Sequence, residues 1–186
     1  MTFAISRNQV LAAVLVAGSV LGLASTSAVH ADTQTSHGTA SVDVVAGDRT
    51  LDTVAGQGTN LDFGQVSIND LVNGAVTKTA ELPAGAFGVT DNSGNANGWQ
   101  LSAAVTNFKV GATNKFDGGL TLNGVKLTAD DDQKTGAPIY SGSQRGAWTS
   151  PALEKGAAIT VPSTANVGHY SADVLYTLSD GVINNG

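Results

Sequence analysis

Few side chains in this 186-residue chain are of the types that do acid–base, nucleophilic or metal chemistry. Histidine occurs only at His30, His37 and His169, and glutamate only at Glu81 and Glu154. No His-Glu-x-x-His run is present, so the spacing that sets two imidazoles and a base on one helix face is missing. Serines are frequent, but no Gly-x-Ser-x-Gly elbow presents one as a nucleophile. Aspartates could supply a glycosidase pair, yet no spacing marks one. The reading is a non-catalytic chain that needs no cofactor.

The densest charge run is Asp130-Asp131-Asp132. Hard cations take several carboxylate oxygens, so the run is a weak candidate for calcium. The following Gln133-Lys134-Thr135-Gly136 lacks the loop spacing and distal Glu of an EF-hand, which favours a solvated turn. The lone His169, beside Tyr170, reads as a strand-edge hydrogen-bonding residue rather than a ligand. Of the two tryptophans, Trp99 alternates with Leu101, Ala103 and Val105. It could stack on a sugar, but that pattern favours a core position. Trp148 lies beside a turn with no apolar residue two positions away, and is the better candidate for a contact residue. Its alternative is a loop residue folded over a sheet end.

The elements that must position these residues are strands. Trp99–Thr106 alternates with period 2, and so does Tyr170–Ser179, where Tyr170, Ala172, Val174, Tyr176 and Leu178 share a face. Shorter alternating stretches cover Ala40–Val44, Ala75–Thr79 and Ala86–Val89. Leu120–Leu122 and Val125–Leu127 flank Asn123-Gly124, a dipeptide that suits a type I′ hairpin turn. Asp91–Gly98 reads as a loop leading into the Trp99 strand. No sustained helical spacing follows the N-terminal segment. The expected fold is an all-β antiparallel sandwich of about 9 to 12 short strands in one domain.

Trp99-Gln100-Leu101 has a partial echo in Tyr176-Thr177-Leu178. Each places an aromatic and a leucine on one side of a sheet. Together they resemble the WxL domain of Gram-positive cell-surface proteins, with its first Trp-x-Leu after a Gly and its distal Tyr-x-x-x-Leu-Thr-Trp-x-Leu. Val89-Thr90-Asp91-Asn92 and Gly98-Trp99-Gln100-Leu101-Ser102 resemble the first motif and its approach, and Leu61-Asp62-Phe63-Gly64 a segment upstream. Ile159-Thr160-Val161-Pro162, then Gly168, Tyr170 and Ser171-Ala172, resemble the run into the distal motif. That motif departs from the pattern: Val174 replaces Leu, Leu175 replaces Thr and Tyr176 replaces Trp. The resemblance implies non-covalent attachment to the cell wall, with peptidoglycan as target. It also implies assemblies with a membrane-anchored WxL-interacting protein. The motif residues carried over are Trp99, Leu101, Tyr170, Tyr176 and Leu178, mainly in structural roles.

The N-terminus reads as a secretory signal. Arg7 precedes an uncharged, mostly apolar stretch from Val10 to Ala24, and Val29-His30-Ala31 offers a cleavage site. A spanning helix wants ~20 apolar residues, which this run does not supply, so cleavage is favoured over an anchor. Residues 1–31 are thus expected to be removed, 32–38 to form a short disordered lead, and 39–186 to form the domain. Cleavage removes one of nine basic residues and none of fifteen acidic ones, leaving a formal charge of −7. That balance disfavours nucleic acid, anionic lipid and anionic wall polymers as partners. With no cysteine, neither disulfides nor an N-terminal lipid thioether is available. No Leu-Pro-x-Thr-Gly sorting motif is present, so retention on a surface would be non-covalent, without membrane insertion after cleavage.

Overall fold

Period-2 alternation governs the computed structural model, which describes residues 36, 38–56 and 61–181. The signal-peptide expectation and His37 lie outside the described residues. The elements below all lie within Asp43–Gly186.

The described residues form twelve strands. They are β1 (Arg49–Thr53), β2 (Val76–Leu82), β3 (Gly88–Asp91), β4 (Trp99–Val105), β5 (Phe108–Val110) and β6 (Asn114–Phe116). Then come β7 (Thr121–Leu122), β8 (Val125–Lys126), β9 (Ala137–Gly142), β10 (Gly146–Thr149), β11 (Leu153–Val161) and β12 (Val174–Asp180). The fold is all-β, with antiparallel sheets in the orders β1-β3-β10, β2-β11-β7-β8, β12-β4-β9 and β5-β6. One helical turn, α1 (Ile68–Leu71), is closed by a capping box between Ser67 and Asp70.

The sheets pack on one apolar core. Phe87, Val89, Leu101, Val105 and Leu122 are fully buried, and Trp99 is 1% exposed. The buried positions of β4 alternate through Trp99, Leu101 and Ala103, with Gln100 and Ser102 only half-buried. The β7–β8 hairpin turns on Asn123 (φ 48°) and Gly124 (φ 77°), both in the left-handed region that a type I′ turn requires. Asn123 also donates its side-chain N–H to the Ile139 carbonyl at 2.7 Å, tying the turn to β9.

Three local expectations are corrected. Ala40–Val44 forms no strand; Val42 and Val44 are 85% and 87% exposed, and among the described residues no strand meets their backbone, so alternation there goes unrewarded. The C-terminal strand begins at Val174 rather than Tyr170, because residues 170–173 bend away to bridge Ser171 with Lys109 of β5. Trp148 is not a loop residue. It lies in β10, opposite Val89 of β3.

Candidate functional site

The two motif segments are adjacent strands. β12 pairs antiparallel with β4 over seven consecutive residues without a register shift, and Leu178 stands opposite Leu101. Tyr176 stands opposite Ala103 and Asp180 opposite Trp99, so the two aromatics lie diagonally displaced along one face.

Trp99 fits its site through two glycines. Gly98 has φ +67°, and a Cβ there would fall 2.0 Å from the Gly142 carbonyl oxygen. A Cβ on Gly142 would fall 2.7 Å from the Trp99 indole. The indole therefore lies flat against the backbone of β9, its strand partner at Gly142.

A line of aromatic rings runs from one motif to the other. Trp99 contacts Trp148 (ring centroids 4.9 Å), Trp148 contacts Tyr140 (5.1 Å), Tyr140 contacts Phe87 (5.4 Å), and Phe87 meets Tyr176 edge-on (5.4 Å). Each such pair adds ~0.5–1.5 kcal/mol beyond area burial. Trp148 and Trp99 come from different sheets, so this contact also fastens β10 to β4. Trp148 is half-buried and packs on the core, rather than standing exposed as its neighbours in sequence suggest. The hydroxyls of Tyr140 and Tyr176 are buried without a partner among the described residues. Burial pushes both phenols above their ordinary range.

Arg49 forms a second fastening between the same sheets. Its guanidinium donates to Asp91 (3.2 Å), Ser93 Oγ (3.0 Å) and the Gly98 carbonyl (2.8 Å), and also to Asp180 of β12. Asp91 is 2% exposed. The Ser93 hydroxyl, and then Arg49, hold its carboxyl below the usual range against the opposing effect of burial. Nothing local in the sequence marks Arg49 or Gly142, since their partners lie tens of residues away.

The acidic run splays apart. Asp130 accepts N–H bonds from Asp132, Lys134 and Thr135, Asp131 binds Asn107 and Lys115, and Asp132 binds Lys134. The amide of Asp132 leads in holding the Asp130 carboxyl down, and the Lys115 ammonium leads at Asp131. Asp130 and Asp132 are committed within their own loop and Asp131 to Asn107 and Lys115, so the three carboxylates do not form a converging donor set.

Tyr170 keeps the inward face it shares with Ala172, Val174, Tyr176 and Leu178, although it lies before β12 rather than in it. It packs on Phe116 at 4.9 Å, and Phe116 stacks on Phe108 at 5.6 Å. His169 is exposed and lies before β12, not on its edge. These residues border a broad groove of about 1480 Å³ that also takes in Leu61, Phe63, Val174 and Tyr176. Among the described residues its lining includes Asp62 and Asp173 but neither Lys nor Arg. No protein-family model, curated protein or solved structure matches this chain.

Proposed function

We propose that this chain is a secreted, non-catalytic, WxL-like surface module that attaches non-covalently to the Gram-positive cell wall, with peptidoglycan as its target. The observation that supports this reading is the pairing of β4 with β12, in which the two motif leucines face one another. In a WxL-like reading the paired motifs build one structural unit, and contact with the wall is made by the surface around it. The commitment of Asp91, Asp130 and Asp131 to structural hydrogen bonds favours binding over acid–base chemistry. Pull-down on purified sacculi stripped of protein tests it: the protein should sediment with them, and a protein left in the supernatant overturns the glycan reading. Export should remove Met1–Ala31, and an intact mass retaining Met1 on surface-extracted protein would exclude that step.

A second reading is a structural subunit whose main contact is a membrane-anchored WxL-interacting protein. The acidic groove lining supports it, because neither Lys nor Arg is there to grip an anionic polymer.

A further inference from the structure

β12 is the outer strand of its sheet. Thr106 donates its N–H to Asp173 O, and Gly181 donates to Gly98 O, each at 3.0 Å. Both bonds continue the β4–β12 register, in which residue numbers change by one in opposite directions. Antiparallel ladders alternate bonded and non-bonded pairs. Leu175, Thr177 and Ser179 therefore bond inward to β4. Val174, Tyr176 and Leu178 turn their N–H and C=O groups outward, and among the described residues no backbone group meets them.

Sheet edges are ordinarily blunted by Lys, Pro, bulges or short length. Other outer strands here show such devices: β2 carries Lys78, β9 carries Pro138 and a register shift, and β10 is four residues long. β12 carries no Pro, Lys or Arg, has no register shift, and leaves Leu175 47% exposed. Two residues with outward backbone groups, Val174 and Tyr176, also line the groove, beside Phe108, Phe116 and Tyr170.

We propose that the outer edge of β12 receives an extended strand of a partner protein, which completes the β12-β4-β9 sheet and lays alternate apolar side chains into the adjoining groove. Strand addition of this kind draws affinity from main-chain bonds and specificity from pockets for alternate side chains. The acidic groove residues Asp62 and Asp173 select a strand with basic flanks. A second copy of this chain is disfavoured, since it would bring like-charged edges together. The inference deepens the protein-partner reading above and names its site.

Amide hydrogen exchange tests it without altering the protein. In the free protein, Leu175, Thr177 and Ser179 should exchange slowly, and Val174, Tyr176 and Leu178 quickly. The probe is a short synthetic peptide alternating valine and threonine with a lysine at each end, at millimolar concentration. It should slow the second set at least ~tenfold, the factor expected of one added hydrogen bond per amide. The same peptide N-methylated on its paired edge should have no effect. Absence of slowing, or equal slowing by the N-methylated peptide, overturns the inference. Slowing by soluble peptidoglycan fragments but not by the peptide also overturns it and assigns the edge to glycan. Sacculus binding measured in parallel separates the two ideas: binding to sacculi with no edge protection by the peptide sinks this inference alone. Edge protection without sacculus binding supports it and sinks the glycan reading.

Discussion

Leu178 stands directly across the β4–β12 ladder from Leu101, 77 residues away in sequence. Such a long closure costs entropy before any contact rewards it. The contact is repaid by an uninterrupted ladder and by a shared apolar face carrying Trp99, Tyr176 and the buried part of β4. The aromatic line and the Arg49 cluster then join this sheet to β1-β3-β10. Removing either motif strand would thus open the core, whatever the surface binds.

Trp99→Ala should cost ~3–5 kcal/mol and broaden or abolish cooperative unfolding, as loss of a buried indole does. Gly142→Ala should also destabilise, by ~1–3 kcal/mol, because its methyl would meet the indole at 2.7 Å. The two should be coupled: with Trp99 already truncated, Gly142→Ala should cost much less. Denaturant unfolding of the double-mutant cycle measures this. Additive costs would mean that the indole does not rest on Gly142, and a Trp99→Ala variant with unchanged melting that loses wall binding would make Trp99 a contact residue.

Tyr176→Phe should be neutral or mildly stabilising, since the hydroxyl is buried without a partner and removing it relieves an uncompensated desolvation. Tyr176→Trp should be tolerated if the groove beside it takes the larger ring. The phenols also set an alkaline limit. Their folded pKa values lie above the unfolded value near ~10, so their contribution is intact below that pH and is lost as pH rises past it. Thermal melts between neutral and strongly alkaline pH should show Tyr140→Phe and Tyr176→Phe resisting this loss. Equal alkaline sensitivity in the variants would place the titrating group elsewhere.

How much of this was legible beforehand depended on the range of each interaction. The Asn123-Gly124 turn and the β4 alternation were readable because their causes are local: two positive φ angles and a period of two. The strands that local alternation does not mark, β1, β5, β6, β9, β10 and β11, are short or carry a register shift, and their stability comes from partners across a ladder. Ala40–Val44 has the same pattern as a real strand but no ladder to join. Trp148 looked isolated because its neighbours are Trp99 and Tyr140, which belong to another sheet. Tyr170 looked like part of β12, and only the bridge from Ser171 to Lys109 reveals the bend.

Asp91 should govern acid sensitivity. Its folded pKa is depressed, so its contribution is full above the unfolded value near ~4 and is lost as pH falls through the lower folded value. Asp91→Asn should lower stability at neutral pH, by leaving Arg49 short of a buried partner, and should flatten the acid limb. Melting curves of both proteins from neutral pH downward check this. An unchanged acid limb would assign the transition to other carboxylates.

On the proposed surface role, retention at the cell should depend little on salt. The chain beyond Ala31 carries a formal charge of −7, and the groove lining includes neither Lys nor Arg. Exposed charge pairs separated by more than about 8 Å are largely screened at physiological ionic strength, and molar salt shortens that range to about 3 Å. Main-chain pairing along β12, apolar contact in the groove and stacking on sugar all survive such screening. Washing cells with molar NaCl should therefore leave most of the protein attached, while a denaturant should release it by unfolding the sheet that carries both motifs. Quantitative release by salt alone would mean that acidic side chains grip a basic partner directly. Asp62 and Asp173 on the groove would then be the first residues to neutralise, with Asp130, Asp131 and Asp132 next, because their carboxylates are already occupied by structural partners.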